Sequence, residues 1–146
     1  MPIINLTNHP ISIVKNAEYS PMIRKHIIPK GSKPIISMVI PSYTNANARY
    51  RTVKLPDFEG CPIAKKIIRG CDGLPKVEDP DNTIFIVSTA YANAYRHMHP
   101  RADMSKFYLA GEAVYSPEGT TKLGTVRLLK YEDESEYEEN TRISSL

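Results

Sequence analysis

The chain has 146 residues, 41% of them hydrophobic and 24% charged, with a formal net charge of +3, which suits a single globular domain with its own core. No apolar run reaches the roughly 20 residues of a membrane-spanning helix, and no basic segment leads into a long apolar stretch near the start, so a cytoplasmic protein with no membrane partner is expected. Cys61 and Cys71 are the only cysteines; in a cytoplasmic chain they are expected as free thiols, and two are too few for a four-ligand zinc site.

Residues 2–14 read as two short strands around the turn signal Asn8-His9-Pro10. If the first stays extended, Asn5, Thr7 and His9 share one face, opposite Ile4 and Leu6. That polar row is either a solvent face or a ligand-facing one. Residues 22–28 and 35–40 are β-like runs separated by a turn with proline at both ends. Residues 41–49 have no periodicity and are expected to be an exposed loop. Residues 50–55 alternate weakly, 56–60 should break that strand, 62–69 are expected to return as another, and 70–82 should be loop.

Residues 83–87 (Thr-Ile-Phe-Ile-Val) are β-branched or aromatic throughout, the pattern of a strand covered on both faces. Ser88 and Thr89 then offer capping side chains for a helix over about 89–98, stopped by Pro100. Tyr91, Tyr95 and Met98 recur at helical spacing and should face inward, with Asn93, Arg96 and His97 outward. Strand pieces are expected at 107–109 and 112–115, a hairpin-type turn at 116–120, and one final strand at 123–131. The fold class is therefore α+β: a strand-rich mixed sheet with one principal helix, forming a single domain over 1–130.

Residues 131–146 hold six carboxylates and one base, Arg142. Taking these from totals of 16 acids and 19 bases leaves 10 and 18 in residues 1–130, so a body of +8 carries an acidic end of −5. The end is expected to be a disordered, solvating tail, with competition for the basic surface as the sharper alternative. The basic body points to an anionic partner.

Three pieces together carry a resemblance: residues 4–11 (INLTNHPI), Gly73-Leu74-Pro75, and Ile84-Phe85-Ile86-Val87-Ser88 followed by Arg101 and Asp103 in an R-x-D arrangement. In this set and order the chain resembles a family of small, functionally uncharacterised proteins of bacteriophages and bacteria, over about residues 3–130. It departs from the family's usual proline at Asn8 and in its acidic end. The resemblance implies a phage or bacterial origin and brings no known activity.

Catalytic signatures are missing. There is no phosphate-binding loop, no dinucleotide fingerprint and no nucleophile elbow around Ser88. None of the four histidines sits in the H-x-[ST] pattern of two-histidine phosphoesterases. His97, His99 and Asp103 are the nearest approach to a metal cluster, but histidines two apart on a helix end do not share a face, so neither a metal nor a cofactor is expected. Arg49-Tyr50-Arg51 interleaves base and ring as a nucleic-acid surface does. The site expectation is a pocket in which Asn5, Thr7 and His9 converge with Ser88, Thr89, Arg101 and Asp103 at the mouth of the strand–helix unit, where helix N–H groups receive an anion. Function then reads as a phage-type accessory or counter-defence protein that binds a small nucleotide-like anion or a host protein. The alternatives are an enzyme on phosphorylated substrates, with His9 as general base and Arg101 steadying charge, and nucleic-acid binding.

Overall fold

A computed structural model describes residues 2–132. In chain order its strands are β1 (Ile3–Asn5), β2 (Ile11–Val14), β3 (Glu18–Ser20), β4 (Lys25–Ile27), β5 (Ile36–Ile40), β6 (Asn47–Phe58), β7 (Cys61–Asp72), β8 (Ile84–Ile86), β9 (Phe107–Ala110), β10 (Ala113–Tyr115), β11 (Lys122–Thr125) and β12 (Leu128–Lys130). The single α-helix among the described residues, α1 (Thr89–Met98), lies between β8 and β9. The fold is α+β and rich in strands, with one principal helix. The expected acidic tail lies, from residue 133 on, outside the described residues.

The first sheet has the order β1-β8-β9-β12. Its first three strands are parallel, and β12 returns antiparallel to β9. β8, with α1 as its crossover to β9, is central, and alternation along it feeds two cores. Phe85 and Val87 pack with Tyr91, Ala92 and Phe107 on the helix side, whereas Ile86 joins Ile11 and Ile40 on the other. A second, six-stranded sheet has the order β3-β4-β10-β11-β2-β5. β6 and β7 form a separate antiparallel hairpin whose foot rests on the helix-side core through Ala46 and Cys71.

Several local expectations are corrected. The run at 22–28 yields only Lys25–Ile27, because the chain turns at Arg24, whose φ is 56°. Residues 41–49 are not all exposed loop: Ala46 is buried, and β6 begins at Asn47. Residues 56–60 do not end a strand at residue 55, since β6 continues through Pro56 to Phe58 with a register shift. A two-stranded ribbon leaves each strand a free edge, so the missing proline N–H disrupts no ladder. Only Glu59 and Gly60, at φ 48° and 79°, make the turn. Residues 70–72 belong to β7 rather than to a loop. The expected last strand at 123–131 is two strands in different sheets, β11 and β12. On α1, Met98 is 39% exposed and the inward face is completed by Ala92 and Ala94. A ten-residue helix over a small sheet needs only one turn's width of close approach, and alanine permits it.

Candidate functional site

Parallel strands end together, and the segments leaving their carboxyl ends surround a common hollow. Leu6 to His9 continue from β1, Val87 to Tyr91 continue from β8 as the opening turn of α1, and Leu109-Ala110 close β9. The start of the hairpin, Asn45 to Ala48 with Tyr50, forms the opposing wall, and Lys122 stands at the rim. The hollow encloses about 480 Å³, within the usual range of small-molecule sites. A narrower extension of about 160 Å³ shares His9, Ile11, Ala110 and Lys122 with it and runs along β11.

The floor is held by one amide. Asn5 is 1% exposed, and its side-chain N–H groups donate to the carbonyls of His9 at 3.0 Å and Ile40 at 3.2 Å. Its Oδ1 accepts from the Thr7 backbone N–H at 2.9 Å and from the Thr7 hydroxyl at 2.6 Å. This Asx turn curls the chain after β1, so Thr7 and His9 reach the hollow from a loop rather than along an extended strand. Asn5 is therefore a positioning residue that does not line the hollow. His9 Nδ1 lies 2.7 Å from the Asn8 side-chain oxygen.

Ser88 caps α1, its hydroxyl accepting from the Tyr91 N–H at 3.1 Å. The N–H groups of Thr89 and Ala90, at the first two helical positions, have no partner inside the helix by geometry and lie in the lining. They make this end of the hollow electropositive, and Lys122 adds a cation to the same lining. Tyr91 also lines it; it is 1% exposed, and its buried hydroxyl has no hydrogen-bond partner among the described residues. Burial, with the Cys71 thiol, Tyr95 and the Asp72 carboxylate nearby, pushes that phenol up to about 12.

Of the residues singled out in the sequence, Thr7, His9, Ser88 and Thr89 come together, and Asn5 supports them from beneath. Arg101 and Asp103 do not join them. They follow the carboxyl end of α1, a helix about 15 Å long, whereas the hollow is at its amino end. Arg101 borders a dent with Tyr95, Met98 and His99. Asp103 accepts from the Ser105 N–H at 2.9 Å, which holds its carboxyl below the usual range. Both stand where a turn stops the helix, so the R-x-D spacing reports the turn. Asn45, Asn47, Tyr50, Tyr91 and Lys122 were not singled out as site residues. Nothing local marks them, because long-range pairing brings their segments to the hollow. Among the described residues, no group of three or more His, Cys, Asp or Glu side chains is arranged to hold a metal ion, and no helix is long and apolar enough to cross a membrane. No protein family, curated protein or solved structure matches the chain.

Proposed function

We propose that the protein is a binder of a small anionic, nucleotide-sized ligand, held in the hollow at the ends of β1, β8 and β9. One observation carries this reading: the hollow opens onto the capped amino end of α1, and Lys122 is the sole Lys, Arg, Asp or Glu among the described residues of its lining. Two free N–H groups and an ammonium suit a phosphate or carboxylate. Thr7, His9, Asn45 and Asn47 supply the hydroxyl, imidazole and amides that select the rest of the molecule, and the Tyr50 ring gives it apolar area.

Binding is favoured over turnover because His9 is held by an amide and not a carboxylate, and because Arg101, its expected partner in catalysis, follows the other end of α1. The phage accessory and counter-defence setting rests on the sequence resemblance alone. The test is native mass spectrometry after purification from cells, followed by titration calorimetry with adenosine monophosphate as probe. Retention of the unchanged nucleotide, with affinity reduced about tenfold in Lys122→Gln, is the expected result. Conversion of the nucleotide, lost in His9→Ala, would replace this reading with an enzyme; equal affinity of wild type and Lys122→Gln would remove the anion site.

A further inference from the structure

The hairpin of β6 and β7 is far longer than its anchorage requires. Twelve residues per strand make a ribbon of roughly 40 Å, yet only its foot enters the core. Every residue from 54 to 66 is exposed. Five cations lie beyond the foot, Arg51, Lys54, Lys65, Lys66 and Arg69, against two carboxylates, Asp57 and Glu59, next to the tip. Arg49 is taken by Asp72 at 2.5 Å, and Lys66 sits 3.9 Å over the Tyr50 ring. Among the described residues the other four, Arg51, Lys54, Lys65 and Arg69, have no ion-pair partner.

The register places these charges beside one another. Thr52 faces Lys66 and Lys54 faces Ala64, so Lys54 and Lys66 are diagonal neighbours on one face. Arg51 faces Ile67 and Val53 faces Lys65, so Arg51 and Lys65 are diagonal neighbours on the other. Diagonal positions are about 7–8 Å apart, and like charges at that spacing repel, offset within the ribbon by the Tyr50 ring beneath Lys66. Beside the carboxylates Asp57 and Glu59, the end of the ribbon also carries apolar side chains: Phe58 is 65% exposed, with Leu55 and Ile63 behind it and Pro56 and Pro62 on either strand.

We infer that the β6–β7 ribbon is an arm that binds duplex DNA in the major groove, its paired cations meeting phosphates and Phe58 giving apolar contact near the tip. A two-stranded ribbon fits the major groove of B-form DNA, whereas the deep, narrow major groove of an RNA helix excludes it. Thymine methyl groups in the major groove offer an aromatic side chain such as Phe58 its apolar contact. A second copy of this chain is the poorer occupant, because the full chain carries a net charge of +3 and only its last 16 residues are net acidic, whereas every phosphate of a duplex is an anion. The surface meets the hollow only at Tyr50, which lines the one and lies beneath Lys66 of the other, and it does not depend on the ligand proposed for the hollow.

Fluorescence anisotropy of the full chain with a labelled 20-base-pair duplex, between 50 and 200 mM salt, tests this. Each phosphate neutralised contributes about −0.9 to the slope of log K against log salt. The triple variant Lys54→Gln/Lys65→Gln/Lys66→Gln should therefore flatten the slope by about 2.7 and lose at least tenfold in affinity at low salt. Phe58→Ala should leave the slope unchanged and lower affinity about fivefold. Circular dichroism melts of both variants should match wild type, because the changed side chains are all exposed. A salt-independent wild type, a triple variant with wild-type slope, or equal binding to polyglutamate or to duplex RNA would overturn the inference. So would a wild-type dimer in sedimentation that dissociates in Phe58→Ala.

Discussion

Replacing Tyr91 by phenylalanine probes the wall of the hollow through one oxygen atom. The ring is 1% exposed and its hydroxyl has no partner among the described residues. A buried hydroxyl left unbonded costs about 1–3 kcal/mol relative to one that is satisfied, so its removal should leave stability unchanged or raise it by up to about 2 kcal/mol. A bonded tyrosine would instead lose about 1 kcal/mol in the same exchange. Urea unfolding at pH 7 of wild type and Tyr91→Phe, with equal m-values as the control for unchanged burial, reads the difference.

The same residue sets a pH dependence. Its folded value of about 12 lies above the ordinary 10, so the folded state holds the proton that the unfolded chain gives up. The stability linked to this group is complete below pH 10 and is lost as pH rises toward 12. A raised phenol of this kind corresponds to about 2–3 kcal/mol. The other tyrosines contribute the same background to both proteins, so the difference curve isolates Tyr91. A phenylalanine variant less stable by 1 kcal/mol or more at pH 7, or stability curves that stay parallel from pH 9 to 12, would refute the reasoning.

Asn5→Ala removes four hydrogen bonds at the floor of the hollow and should cost about 2–4 kcal/mol in urea unfolding, since the Ile40 carbonyl and the Thr7 N–H each lose a partner while the His9 carbonyl keeps the Thr7 hydroxyl. Ser88→Ala should destabilise by about 1 kcal/mol through loss of the cap. Ser88→Asp should keep stability within about 0.5 kcal/mol while weakening adenosine monophosphate binding, because the added carboxylate caps the helix but repels an anion; calorimetry separates the two effects. Gly111→Ala places a Cβ 2.3 Å from the Arg127 carbonyl oxygen, where β9 hands over to β10, and thermal unfolding should show a loss of about 1–3 kcal/mol.

Local chemistry in the sequence determined the central unit. β-Branched and aromatic residues over 83–87, a serine cap and Pro100 specify strand, helix and stop within one window, and β8 and α1 follow them closely. The same stretch located the amino end of the helix, and the polar residues after β1 proved to lie beside it. Tertiary structure alone decided three things. Whether Asn5 lines the hollow or supports it depends on His9 and Ile40, whose carbonyls meet its amide only after the chain curls. Whether Arg101 and Asp103 belong depends on the length of α1, which carries them away from the strand ends. The length of the β6–β7 ribbon was hidden because Pro56 and Gly60 look alike as breakers; only pairing along an otherwise free edge shows that one is tolerated and the other turns the chain. Propensity acts over a few neighbouring residues, whereas a site is closed by segments far apart in the chain, and their meeting is settled by which faces find cover in the assembled sheets.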